Sequence, residues 1–154
     1  MIISGCATTS ERLHSSAKSG EYANVEILVE KGVDVNAQDN DGDTALMIAV
    51  REGHTEVVKL LIEVGADVNA QDSDGDTALM TASRGGYLDV VQLLIDAGVD
   101  VNAKNDSGET ALSLVESYLH KKEEYGKKYG LHKHEIYEEG YDEILWLLIE
   151  AGAK

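Results

Sequence analysis

The chain of 154 residues contains no proline and no phenylalanine, and it has a single cysteine, Cys6. One cysteine forms neither an internal disulfide nor a zinc site, so packing has to stabilise the fold. With 15 glycines and no proline, glycine is the residue that punctuates the chain. Apolar runs stay well short of the roughly 18 residues that a membrane span needs, so we expect no direct membrane insertion.

Basic residues are scarce, because 13 Lys and Arg stand against 29 Asp and Glu, for a net charge of −16. Binding to a nucleic-acid backbone depends on clustered Lys and Arg, and an anionic membrane surface repels a chain of this charge. The composition therefore argues against both as partners. A hydrophobic content of 43% predicts a folded chain rather than an acidic disordered tail.

The sequence repeats with a period of 33 residues, since residues 39–71 and 72–104 are identical at 21 of 33 positions. The motif Asp-Gly-Asp-Thr-Ala-Leu-Met begins at Asp41 and again at Asp74, and a looser copy begins at Ser107. Such a period is typical of a stack of similar units. We divide the chain into a tail at 1–9, a first unit at 10–38, full units at 39–71 and 72–104, and a last unit at 105–154 with an insertion at about 119–139.

The residue pattern of each unit predicts two short helices. Thr44, Thr77 and Thr110 stand where a threonine hydroxyl can accept a hydrogen bond from one of the first free amides of a helix. Gly53 and Gly86 follow where a left-handed residue can end that helix. An apolar stripe then predicts a second helix, closed by another glycine. Helices this short are unstable alone, so each unit has to pack on its neighbours.

These residues resemble the ankyrin-repeat family, over nearly the whole chain from Leu13 to Ala153. The resemblance rests on the period, the turn glycines, the Glu-Val-Val-Lys-Leu-Leu stretch and the Gly-Ala-Asp-Val-Asn-Ala segment at Gly65. The family's Thr-Pro-Leu-His becomes Thr-Ala-Leu-Met at Thr44 and Thr77. The resemblance implies an all-α solenoid of about four helix-turn-helix units, with short β-hairpin-like tips and an extended C-terminal helical pair.

The resemblance also implies a non-enzymatic module that binds a partner protein through its concave face and hairpin tips. Acidic tips favour a partner with a basic surface, because a field of carboxylates speeds its encounter with cations. The alternative is that these acids are solvated turn formers and helix-dipole partners. The predicted partner-binding residues are Asn40, Asp41, Asp43, Met47, Arg51, Glu52, Ser73, Asp74, Asp76, Met80, Arg84, Asp106, Glu109 and Tyr118.

Met47 and Met80 have a second interpretation, as flexible side chains that fill gaps in the core. Two other functions stay open on the resemblance alone. One is an immunity or inhibitor protein that blocks a hydrolase of the same cell, and the other is a structural envelope adaptor without tight binding. The sequence has no activated nucleophile and no phosphate-binding glycine loop, so we predict no enzyme and no cofactor. We expect a monomer in isolation.

Two patterns raise the question of metal ions. The Asp-rich turn at 38–43 resembles a calcium loop, but Ala37 stands where a further acidic ligand is needed, and the late bidentate Glu is missing. His132 and His134 could chelate a metal with His120, yet no cysteine ligand supports that set. We therefore predict no metal site.

The insertion is rich in Lys, and five of the seven Tyr lie between 118 and 141. A helical stripe through Tyr118 predicts an inner helix that ends at Gly126 or Gly130, followed by a returning helix that includes Tyr137–Ile149. Trp146 stands where the other units have solvated polar residues, and we expect the lengthened helices to cover it and cap the stack. The alternative is that this hairpin recognises a partner, since Tyr and Trp are favoured interface anchors.

The segment Ile3-Ser4-Gly5-Cys6 resembles a bacterial lipobox whose basic and apolar leader is missing. In that alternative Cys6 is the lipidated residue, and the protein is a periplasmic or cell-envelope lipoprotein. A five-residue leader cannot direct export, so the alternative requires a start further upstream. The chain as written predicts a cytoplasmic protein by default.

Overall fold

The computed structural model of the chain describes residues 8–130 and 140–154. These residues form eight helices and no β-strand, which confirms the predicted all-α repeat fold. The helices are α1 (Thr9–Ser19), α2 (Tyr22–Glu30), α3 (Ala45–Arg51), α4 (Thr55–Glu63), α5 (Ala78–Gly85), α6 (Leu88–Asp96), α7 (Ala111–Tyr129) and α8 (Tyr141–Glu150).

The helices stack as pairs in chain order. Each odd-numbered helix, called inner here, packs on the even-numbered outer helix that follows it. The inner helices also pack on one another along the row, and so do the outer helices. Each unit therefore buries its apolar side against its neighbours, and the stability of the stack is a sum of unit and interface contributions.

Tight turns precede the inner helices. Gln38 faces Thr44 in an isolated antiparallel bridge, and Gln71 faces Thr77 in the next unit. We call residues 39–43, 72–76 and 105–109 the three tips. They are the hairpin-like turns that the sequence predicted.

Threonine hydroxyls begin the inner helices, as predicted. The hydroxyl of Thr44 accepts the backbone amide three residues further on at 3.3 Å, and Thr77 and Thr110 cap α5 and α7 in the same way. Helix α5 ends at Gly86, whose φ of 71° is left-handed, and Gly53 adopts the same conformation after α3. Local chemistry that recurs every 33 residues thus sets where α3, α5 and α7 start and where α3 and α5 stop.

The core is a row of aliphatic layers between inner and outer helices. Leu46 and Leu79 repeat one period apart, and each is only 1% exposed. The fully covered side chains of α4 and α6 are Val57, Val58, Leu61, Val90, Val91 and Leu94. Because corresponding residues recur in each unit, the layers are similar and truncation of one layer disturbs the interfaces on both sides.

The last unit contains the longest helix. Helix α7 runs for 19 residues and ends at Gly130, at a left-handed φ of 67°. Gly130 is one of the two predicted end points. Helix α8 begins at Tyr141, whereas Tyr137, which we had placed in this helix, lies outside the described residues.

Tyr141 ties the last helix pair to the unit before it. Its hydroxyl donates to the Arg84 carbonyl in α5 at 2.8 Å. Its ring stacks on that of Tyr118 in α7, with ring centroids 4.2 Å apart. Both inner helices therefore hold the start of α8 in place.

The prediction that the lengthened helices cover Trp146 is wrong, because its side chain is 59% exposed. The extension belongs to the inner helix α7, where Tyr118 packs toward Tyr141. Trp146 lies on the outer helix α8, at an outward position of the repeat. Lengthening the inner helix does not reach that side of the stack.

We expect Leu79→Ala to lower the free energy of unfolding by about 2 to 5 kcal/mol, because it removes buried contacts and leaves a cavity. Urea denaturation followed by circular dichroism measures the loss. Ile149→Ala is the control, since Ile149 is 55% exposed and its loss should stay below about 1 kcal/mol. Equal losses at the two sites would contradict the layered core.

Candidate protein-binding face

In each tip, one side chain accepts hydrogen bonds from two backbone amides and so shapes the turn. Oδ1 of Asp39 accepts the amide of Asp41 at 3.0 Å and that of Asp43 at 2.9 Å. Asp72 does the same in the second tip, and Asn105 in the third. Such local bonds are a common way to stabilise a turn, so these three side chains have a structural role.

Hydrogen bonds join each tip to the next. The Ser73 amide donates to the Asp41 carbonyl at 3.0 Å, and the Asp106 amide donates to the Asp74 carbonyl at 3.0 Å. The spacing of the tips is therefore set by the backbone. Asp41, Asp74 and Asp106 are exposed, so a row of acids lies on turns that backbone hydrogen bonds link to one another.

Two glutamines add further links that sequence reasoning missed. Nε2 of Gln38 donates to the Gly42 carbonyl at 2.8 Å and to the Gln71 carbonyl at 2.9 Å. Nε2 of Gln71 repeats the pattern with Gly75 at 2.7 Å and Lys104 at 2.9 Å. The signal was present, because the two glutamines occupy the same place in the period.

Two arginines of the inner face are paired with tip acids. Arg51 donates to both oxygens of Asp43, at 2.7 and 2.5 Å, and Arg84 donates to Asp76 at 2.8 Å. The hydrogen bonds that Arg51 donates to Asp43 are the main cause that raises the pKa of Arg51, while partial burial opposes it. Ser117 takes this position in α7, so the last unit has no corresponding arginine. The pairing leaves these guanidinium groups largely neutralised by the protein itself.

Four of the predicted contact residues are buried or largely covered. Met47 and Met80 are 3% and 1% exposed, so the prediction that they face the groove is wrong. The inner helices pack on each other from both sides and cover these side chains, which fill the core instead. Asp43 is buried, and the Asp76 carboxylate is largely covered beside its arginine.

The remaining predicted residues lie at the surface. Tyr118 is half-buried against Tyr141. The exposed members are Asn40, Asp41, Arg51, Glu52, Ser73, Asp74, Arg84, Asp106 and Glu109. These residues belong to the tips, to the inner helices or, for Glu52, to the end of α3, so they follow one side of the stack.

A cavity of about 470 Å³ lies where the first two full units meet on this side. It is lined by Arg51, Arg84 and acids of the second tip, and also by Thr81 and Tyr87. Asp72, Thr81 and Tyr87 are not among the residues predicted from the sequence. Tyr87 carried a readable signal, because the same position holds His54 in the unit before it. A large aromatic at a variable position indicates a feature particular to this chain.

Two of the alternatives concern residues that the structure does not describe. Cys6, His132 and His134 fall outside residues 8–130 and 140–154, so the structure tests neither the lipidation alternative nor the predicted absence of a histidine metal site. Across the described part of the chain, no group of three or more His, Cys, Asp and Glu side chains is arranged to hold a metal ion. No helix in that part is long and apolar enough to cross a bilayer.

A family model of ankyrin repeats in three copies matches residues 13–105 and also residues 66–125. The chain therefore belongs to the ankyrin-repeat family. Ankyrin repeats are generally protein–protein interaction modules and typically perform no catalysis.

A curated plant protein shares part of this repeat. It is a probable E3 ubiquitin-protein ligase, XBOS33, of Oryza sativa subsp. japonica, and it is 51% identical over 45 residues. The matched stretch is 29% of this chain but only 9% of the plant protein. The likeness is thus local, and it does not extend the ligase activity to this chain.

We expect Gly75→Ala to destabilise the stack more than Gly108→Ala. Both glycines are left-handed, at φ 76° and 77°, so each variant loses about 1 to 2 kcal/mol from backbone strain. At Gly75 a Cβ atom would also lie 2.8 Å from the Asp106 amide nitrogen, whereas at Gly108 it meets no atom within 4 Å. Crowding adds about 1 to 3 kcal/mol at Gly75 alone.

Thermal or urea unfolding of both glycine variants measures this difference. The comparison isolates the contact between tips, because the two turns have the same conformation. Indistinguishable losses would contradict the close packing of one tip on the next.

Proposed function

We propose that the chain holds a protein partner on the concave face formed by its tips and inner helices, and that the tip carboxylates meet a basic surface of that partner. The observation that carries the proposal is the row of exposed acids at Asp41, Asp74 and Asp106, held in place by hydrogen bonds between tips. Binding, with no chemical step, is the whole of the proposed activity.

The fixed frame favours binding because a preorganised surface loses little conformational entropy when a partner arrives. A specific complex buries about 800 Å² on each partner, which a face of several short units can supply. The arginines of this face already pair with Asp43 and Asp76, so they offer little attraction to an anionic partner. The remaining acids favour a cationic one.

The face divides into two kinds of contact. The tip acids form an exposed rim, which mainly raises the association rate and its salt dependence. The cavity beside Tyr87 and Thr81 is better placed to provide affinity, since aromatic side chains in partly enclosed sites are typical interface anchors. Tyr118 and Glu52 extend the face along the inner helices.

We expect the triple variant Asp41→Lys, Asp74→Lys, Asp106→Lys to lower the association rate with its partner at least tenfold at low salt. The partner is first isolated from the native lysate on the intact chain, then purified for kinetic measurements by surface plasmon resonance. Repulsion replaces attraction at the rim, so the fall of the association rate with rising ionic strength should weaken or reverse.

The matched control is Glu30→Lys, Glu63→Lys, Asp96→Lys. These acids are exposed, repeat every 33 residues on the outer helices and change the net charge by the same amount. The control should retain most of the association rate. Equal losses in both variants, or unchanged binding after reversal of the tips, would contradict the proposed face.

A further inference from the structure

An apolar groove lies on the opposite side of the stack, between the outer helices α6 and α8. It has a volume of about 560 Å³, and Leu88, Leu147 and Trp146 contribute its apolar lining. Leu88 and Leu147 are half-buried, whereas the indole of Trp146 is 59% exposed. The groove is formed by the seam between the last two units, so it involves none of the tip residues.

The repeat itself does not require this apolar surface. Trp146 stands where the three earlier units have Glu26, Lys59 and Gln92, all polar. Leu88 stands where the preceding unit has Thr55. Both positions are polar in the preceding unit and apolar at this seam. The indole of Trp146 is largely exposed, so it adds little to the packing of the solenoid.

Carboxylates surround the groove. Asp89, Asp142 and Glu143 line it, and all three are exposed in the first turns of α6 and α8. The positive end of a helix stabilises a charged carboxylate in its first turn. Neither helix contains a Lys or Arg, and Lys59 on the neighbouring α4 donates to Glu56 at 2.9 Å.

We infer that this groove, here called the seam groove, binds a peptide segment of a partner protein in which a large apolar residue lies next to Arg or Lys. The apolar side chain would cover Leu88 and Leu147, where burial is favourable. The cation would lie over the Trp146 ring or beside the rim acids, both of which attract positive charge.

Charge decides between this occupant and a second copy of the chain. Each copy carries a net charge of −16, so two acidic surfaces would be brought together. A peptide segment with an apolar residue next to Arg or Lys complements both the apolar lining and the surrounding carboxylates. The molecule would then have two binding surfaces, one on the concave side and one on the outer side.

The test selects displayed random 12-residue peptides on the whole chain and, in parallel, on the double variant Leu88→Thr, Trp146→Gln. These replacements are the residues that the preceding unit has at the two positions, Thr55 and Gln92. Trp146 is largely exposed, and Leu88 is half-buried at a position that holds Thr55 in the preceding unit, so the double variant should fold, which its thermal melt verifies. Peptides enriched on the unmodified chain alone are then synthesised.

We expect these peptides to pair a large apolar residue with Arg or Lys within four positions. Trp146 is the single tryptophan of the chain, so binding should shift its fluorescence emission to shorter wavelength. Fluorescence polarisation of labelled peptide should show at least tenfold weaker binding to the double variant, and severalfold weaker binding to Asp142→Asn, Glu143→Gln. The triple tip variant should bind normally, which separates this site from the concave face.

Three results would overturn the inference. One is that no peptide distinguishes the unmodified chain from the double variant. Another is that the selected peptides lack a basic residue or bind equally after removal of the rim charges. The third is a concentration-dependent dimer in sedimentation that Trp146→Gln abolishes, because the occupant would then be a second copy.

Discussion

The hydrogen bonds between successive tips, together with the burial of each unit against the next, are the constraint on which the rest of the structure depends. The backbone carbonyls of Asp41 and Asp74 accept hydrogen bonds from the next tip, while their carboxylates remain exposed. Gln38 and Gln71 reinforce the same spacing. A single unit has too few contacts to be stable, so the row of acids exists only because the units stack.

Electrostatics then decides what the surface can attract. Arg51 and Arg84 are paired with Asp43 and Asp76, so part of the scarce positive charge is neutralised within the stack. The side formed by the tips and inner helices therefore keeps its exposed acids. The seam groove is acidic through its own carboxylates, although it differs in apolar content. The side of the tips has a row of exposed acids and a cavity lined in part by Tyr87, and the groove has an exposed indole beside Leu88 and Leu147. Each arrangement favours a cationic protein surface of a different form.

Features that depend on local chemistry were predictable from the sequence. Threonine caps and left-handed glycines follow from one residue and its immediate neighbours, and they narrow the end of α7 to Gly126 or Gly130. Features that depend on three-dimensional packing were not. The exposure of Trp146 is set by neighbouring helices, and the direction of the α7 extension is not encoded by helical periodicity. For Met47 the sequence left core filling and a surface contact open, and the packing of the inner helices decides for the core. The cavity at Tyr87 escaped for the same reason, since its lining comes from residues far apart in the period.

Amide hydrogen exchange of the chain, with and without its purified partner, tests the central claim most directly. The account predicts that binding slows exchange at residues 39–43, 72–76 and 105–109 and along the inner helices α3 and α5. Protection confined to the outer helices, with unchanged exchange at all three tips, would contradict it.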